Sequence, residues 1–164
     1  MKKFIFMVLV TLTTLFNVQA EESGDVTFVP QIAYATKHSM IGIGAQAQFN
    51  VTSVLRIAPD FFYFIRNNNV TAYGADINVQ YLIPRGTNFS IYPLAGFAYM
   101  RYKTEVKDAD GDKYDEKHDR IGANFGVGAQ YQIQEQLQFF TEERFQLLKD
   151  FNQSVTVLGV RFTF

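Results

Sequence analysis

Eight stretches of this 164-residue chain alternate between apolar side chains and small or polar ones. Successive side chains of a strand point to opposite faces, so a period of two marks a strand with two unlike faces. Met40–Phe49 (MIGIGAQAQF) shows this most cleanly, with Ile41, Ile43, Ala45, Ala47 and Phe49 opposed to Gly42, Gly44, Gln46 and Gln48. The same period runs through Thr27–Thr36, Val54–Ile65, Val70–Leu82, Phe89–Lys103, Ile121–Tyr131, Leu137–Leu147 and Ser154–Phe164. Turns are expected at Asn50–Ser53, Pro84–Asn88 and Gln134–Gln136, and longer loops at Lys37–Ser39, Arg66–Asn69, Val106–Asp119 and Lys149–Gln153. The expected fold is all-β: an eight-stranded antiparallel up-and-down barrel, whose closure removes every sheet edge.

The character of the two faces decides which solvent the barrel meets. A soluble barrel packs its apolar residues inside and shows long charged ones to water. Here the polar face is built mainly from Gly, Ala, Gln and Asn, which suit a crowded interior. The apolar face carries Tyr63, Tyr81, Tyr99 and Tyr131 near strand ends, as the aromatic girdles of a transmembrane barrel do. The chain holds 17 Phe and 9 Tyr, yet its mean hydropathy is close to zero, because alternation cancels over any window.

Both ends of the chain fit an exported membrane barrel. Lys2 and Lys3 precede the apolar run Phe4–Phe16, and Val18-Gln19-Ala20 supplies small residues at a cleavage site. Residues 1–20 thus read as a signal peptide and 21–164 as the barrel domain, since the apolar run is too short for a helical anchor. Counted back from the C-terminus, Phe164, Phe162, Val160 and Leu158 form one apolar stripe. A last strand that must close against the first and face lipid gains from such a stripe, which we read as an assembly signal.

The remaining charges of the polar face are Arg56, Asp60, Asp76, Glu142, Arg144 and Arg161, and they sum to zero. An eight-stranded barrel has room inside only for its own side chains. An enclosed lone ion is unfavourable by several kcal/mol, so these residues are expected to pair and fill the lumen. Glu143 breaks the alternation. Either a bulge turns it inward or it lies on the lipid face, and the sequence leaves both open.

Three segments resemble a known group of proteins. Phe139–Phe145 (FFTEERF), Ile91–Tyr99 (IYPLAGFAY) and Ser154–Phe164 (SVTVLGVRFTF) are similar to strands of small OmpA/OmpX-like outer-membrane barrels. Together they look like the outer-membrane β-barrel domain abundant in Bacteroidetes, often labelled as a porin-family protein. The resemblance implies a Gram-negative outer-membrane location and a lumen ion-pair network that includes Glu142 and Arg144. An aromatic is usual at the position of Glu143.

Removing Lys2 and Lys3 takes the formal charge from −1 to −3, which gives no basic surface for nucleic acid. The chain has no Cys and two His, so disulfides and Cys/His metal centres are excluded, and no cofactor is expected. His38 and Ser39 are sequence neighbours and point opposite ways on a strand, which is a poor nucleophile–base arrangement. An enzyme is therefore not expected. The acidic run Asp108, Asp110, Asp112, Asp115 and Glu116 carries oxygen ligands that Ca²⁺ favours, but its spacing is not that of an EF-hand. A solvated loop is the better reading, with no dedicated metal site.

The expected function is a structural or surface-interaction barrel whose loops form the working surface for a ligand that the sequence does not identify. A narrow small-solute porin is the alternative, and a lipid A-modifying barrel enzyme the second. Outer-membrane lipid, lipopolysaccharide and the barrel-assembly machinery are the expected partners, the chain is expected to be a monomer, and an even strand number puts both termini in the periplasm. Deleting Phe164 should slow insertion, read as delayed appearance of the heat-modifiable folded band on mild detergent gels. Folding at the wild-type rate would remove the terminal aromatic from the assembly signal.

Overall fold

In the computed structural model, residues 26–85, 87–107, 113–134, 136–149 and 151–162 are described. Residues 1–20, expected to be a signal peptide, Phe164 and the acidic residues Asp108, Asp110 and Asp112 lie outside them. Every long element among the described residues is a strand. β1 is Val26–Ala35, β2 Met40–Asn50, β3 Leu55–Asn67 and β4 Val70–Tyr81. β5 is Phe89–Lys107, β6 Lys113–Gln134, β7 Leu137–Leu148 and β8 Phe151–Phe162. A two-residue segment, Ile83–Pro84, pairs with the start of β5.

Each strand pairs antiparallel with the next, β4 pairs with β5, and β1 pairs with β8, so the sheet closes into a barrel. Rows of hydrogen-bonded neighbours wind around it obliquely. One row runs Ile32, Ile43, Tyr63, Tyr73, Arg101 and Asp119. Followed the other way from Ile32, it passes Leu158 and Thr141 to reach β6 at Ala129. The row therefore leaves β6 at Asp119 and returns at Ala129, which is the stagger that tilted strands need to close.

The alternation sorts side chains as the period of two requires. Ile32, Ile43, Phe61, Ile77, Phe97, Phe125, Phe139 and Leu158 face outward, with Phe97 75% exposed. Such a belt is ruinous in water and ordinary in hydrocarbon. Inside, aromatic rings lie over glycines of the neighbouring strand. Tyr92 is in register with Gly128 and Phe140 with Gly159, and a Cβ at either glycine would run into the ring. These small inward residues make room for the large ones beside them.

The end turns differ from the expected loops. Arg66–Asn69 closes as a two-residue turn, with Asn68 and Asn69 both at positive φ (46° and 64°), a conformation Asn tolerates. The loop expected at Lys149–Gln153 is shorter than the sequence suggested, because β8 already starts at Phe151, in register with Leu148. Val106–Asp119 is mostly ladder, with β5 and β6 in register from Arg101↔Asp119 out to Lys107↔Lys113. This hairpin projects beyond the belt, where both faces meet water and no apolar period betrays a strand. The two ends of the barrel thus differ in the projecting hairpin and not in general loop length.

Gly128→Val should overpack the lumen against Tyr92 and destabilise the barrel by about 1–3 kcal/mol. Urea unfolding midpoints in detergent or lipid would report it. A neutral outcome would mean that Tyr92 moves aside freely.

Candidate functional site: the lumen network and the extracellular rim

The inward charges of the belt region converge on Arg144, which is fully buried. β7 brings Arg144 and Glu142 to the lumen together, two residues apart on one face. Arg144 Nε donates to Glu142 Oε2 at 2.7 Å, and Nη2 lies 2.6 Å from the same oxygen. Nη1 reaches across the lumen to Asp60 Oδ2 on β3 at 2.7 Å and Asp76 Oδ2 on β4 at 3.3 Å. Asp60 and Asp76 are directly opposed in the β3–β4 ladder, where two carboxylates repel each other. The guanidinium between them offsets that repulsion.

Neutral side chains extend the cluster along the axis. Glu142 Oε1 accepts from Gln80 Nε2 at 2.8 Å and from the Tyr92 hydroxyl at 2.9 Å. Arg56 donates to Asn50 Oδ1 at 3.0 Å and Gln130 Oε1 at 3.2 Å, and joins the cluster through Gln80. Toward the other end, Gln146 donates to Asp76 at 3.0 Å, Gln153 to Gln146 at 2.6 Å, and Tyr102 to Gln153 at 3.3 Å. Hydrogen bonds thus run without a break from Tyr102 to Asn50. Arg161 stands apart and donates to Thr27 Oγ1 at 3.2 Å and Gln138 Oε1 at 3.4 Å.

The structure therefore gathers Asp60, Asp76, Glu142 and Arg144, links Arg56 to them, and leaves Arg161 at the far end. Sequence reasoning did not single out Gln80, Tyr92, Gln130, Gln146 or Gln153, although their inward parity was the available signal. It also missed that half of the lumen is apolar: Met40, Phe62, Phe64, Met100 and Val155 pack beside the network. Glu143 faces outward, and β7 keeps an unbroken register with β6 from Leu148 to Gln138. Leu158 and Phe162 face outward and exposed, with Val160 half-buried between them.

At the rim that carries the projecting hairpin, the β1–β2 turn bends over the barrel mouth. Asn67 Nδ2 donates to the carbonyls of His38 at 2.8 Å and Ser39 at 3.1 Å. The His38 ring then packs on Tyr102 and Phe151, each with centroids 5.6 Å away. Burial against them, with Lys37 adjacent, lowers the His38 pKa. On the outer wall of the hairpin, Arg101 grips Asp119 through two N–H groups at 2.6 and 3.0 Å. Those bonds and one from the Tyr99 hydroxyl pull the Asp119 pKa down to about 2. Asp115 and Glu116 are exposed, and no three acidic or His residues among the described ones form a metal cluster.

Removing one partner of a buried ion cluster strands the others, a loss of about 3–5 kcal/mol. Glu142→Ala and Arg144→Ala should each lower the unfolding midpoint clearly, and the double variant should lose less than the two combined. Lys117→Ala on the exposed hairpin should change little. Equal effects of Glu142→Ala and Lys117→Ala would show that the cluster does not stabilise the barrel.

Comparison with known proteins agrees with this geometry. A family model, the outer membrane protein beta-barrel domain, matches residues 11–164. No curated protein matches the chain in sequence. Among solved structures, the chain is similar to the N-terminal β-barrel domain of Pseudomonas aeruginosa OprF, with 17% identity and a TM-score of 0.68 over 84% of this chain and 95% of that one. It is also similar to Neisserial surface protein A, with 15% identity and a TM-score of 0.61 over 89% and 100% of the two chains. Ail, the attachment invasion locus protein of Yersinia pestis, gives 10% identity and 0.59 over 84% and 93%. At these identities the likenesses show the fold, and the resemblance to small OmpA/OmpX-like barrels holds. The chain belongs to the outer membrane protein beta-barrel domain family and is an integral barrel of the Gram-negative outer membrane.

Proposed function

We propose that the protein is a closed, non-conducting barrel that serves the outer membrane as a structural element and as a scaffold for surface interactions. The observation that carries this reading is the unbroken side-chain path from Tyr102 to Asn50 around the buried Arg144. Opening a water path through it would leave the Arg144 cluster partly unpaired, an unfavourable change. His38, Tyr102 and Phe151 add a second obstruction at the mouth. The projecting β5–β6 hairpin, polar on both faces, then becomes the surface available to a partner outside the cell.

The same reading puts the hairpin outside the cell and both termini in the periplasm. Val26 and Phe162 lie at the barrel end opposite the hairpin, in register with Phe49 and Leu137. Outer-membrane lipid and lipopolysaccharide surround the belt, and the barrel-assembly machinery inserts the chain by its last strand.

In planar bilayers the wild type should show negligible conductance, rising only in variants that remove Glu142 or Arg144. A steady, large wild-type conductance would overturn the closed lumen and favour a solute pore. Protease added to intact cells should cut the hairpin between Lys107 and Lys113 and spare the Asn50–Leu55 turn. The reverse pattern would invert the orientation.

A further inference from the structure

On the outer wall of β5 and β6, the side chains change character where the belt ends. Phe97 and Ile121 are the last strongly exposed apolar residues of their stripes. Tyr99, in register with Ile121, and Tyr73, in register with Arg101, stand at that level, as the girdle beside a headgroup layer does. The next outward pairs up the wall are Arg101↔Asp119, Lys103↔Lys117 and Glu105↔Asp115. Arg101 and the Tyr99 hydroxyl hold Asp119, and Arg66 Nη1 holds Glu105 Oε2 at 2.9 Å. Lys103 and Lys117 are left between these matched pairs, directly opposite each other, where like charges destabilise a sheet. Among the described residues no carboxylate lies within ion-pair reach of either ammonium. Asp115 is exposed beyond Lys117, on the side away from the membrane. Lys103 Nζ instead lies over the Tyr73 ring, 5.2 Å from its centroid, and so bends back toward the girdle.

The lumen meets the same difficulty at Asp60 and Asp76, which are also directly opposed, and there the Arg144 guanidinium sits between them. On the outer wall the counterion has to come from outside the chain, at the level of the headgroups. We propose that Lys103 and Lys117 together bind a phosphate group on the lipid A of lipopolysaccharide. This rests on the reading that puts the hairpin outside the cell, because lipopolysaccharide forms the leaflet on that side. Opposed residues hold their Cβ atoms about 4.5–5.5 Å apart, so two long, flexible ammonium groups can close on one phosphate. A phosphomonoester carries about −1.5 to −2 at neutral pH, which matches two ammonium charges. A phosphodiester, with a single charge, does not. Asp119 and Glu105 flank the lysines on either side but are occupied by Arg101 and Arg66, so neither competes with the phosphate.

The test uses the full mature chain in phosphatidylcholine vesicles that carry diphosphoryl lipid A as a minor component of both leaflets. After extraction in mild detergent, the lipid A that stays with each folded barrel is measured. The wild type should retain it, and should retain several-fold less of a lipid A from which the phosphates have been removed. Changing Lys103→Gln and Lys117→Gln together should lower retention several-fold, whereas Lys103→Arg with Lys117→Arg should keep it. Arg85→Gln, exposed at the other end of the barrel, should have no effect. An excess of phosphatidylglycerol, a phosphodiester, should not displace the bound lipid. Lys117→Gln alone should raise the unfolding midpoint in phosphatidylcholine, where it relieves a repulsion, and lower it when lipid A is present. Heat-modifiable mobility confirms that each variant is a folded barrel. Both leaflets carry lipid A, so the result does not depend on which end of the barrel faces outside, and proteolysis of intact cells reads that separately. Equal retention of phosphate-free lipid A, full retention by the double glutamine variant, an equal loss with Arg85→Gln, displacement by phosphatidylglycerol, or a midpoint shift of the same sign in both vesicles would each overturn the proposal.

Discussion

Hydrocarbon offers no hydrogen bonds to a peptide group, so a sheet in the membrane must satisfy every N–H and C=O within itself. Seven of the eight seams in this barrel join strands that are neighbours in sequence and can form as hairpins. The eighth joins β1 to β8 and is the shortest, from Gln31↔Gly159 to Ala35↔Val155. It stops beside Pro30, which has no N–H to give. Beyond its other end, Thr36 and Ser154 extend the seam by a backbone bond of 3.0 Å and a side-chain bond of 3.1 Å. Closure therefore rests on few residues, and the outward stripe Leu158, Val160 and Phe162 lies on the strand that completes it.

What closure brings together is the lumen. Asp60 and Asp76 come from adjacent strands, whereas Glu142 and Arg144 approach from the opposite wall. An N-terminal half alone would hold two opposed carboxylates with no cation between them. A C-terminal half alone would hold Arg144 with only Glu142. The cluster is complete only in the closed ring, so it favours closure over any open sheet. Its neutral extensions, Gln80, Gln146 and Gln153, satisfy lone pairs that a dry interior would otherwise leave orphaned.

How far the sequence could be read follows from where water and lipid lie. Inside the belt the two faces meet different surroundings, so Ile41, Ile43 and Phe49 against Gly42, Gln46 and Gln48 displayed both strand and parity. Beyond the belt the contrast vanishes. Residues 106–119 look like a charged loop although most of them form a ladder, because both faces of that hairpin are wet. Inward parity was legible for Asp60, Asp76, Glu142 and Arg144, but which of them meet was not. Pairing across a lumen depends on the stagger of the strands, a property of all eight together. The apolar half of the lumen was obscured for a related reason, since Phe62 and Met100 share parity with polar residues elsewhere on their strands.

The run Glu142-Glu143-Arg144 shows how such a barrel keeps its register. A slip of β7 by one residue would turn Glu143 inward and expose both Glu142 and Arg144 to lipid. It would trade one carboxyl on the lipid face for two charged groups there and would leave Asp60 and Asp76 opposed without a guanidinium. Shifts of two residues keep the parity but carry Arg144 away from both carboxylates and Tyr92 away from Gly128. The apolar belt rejects odd slips, as it does in any transmembrane strand. It is the asymmetric lumen, with the Arg144 guanidinium shared by three carboxylates and glycines beneath the Tyr92 and Phe140 rings, that rejects the even ones. A lumen of uniform small polar residues would fill the same space without that discrimination.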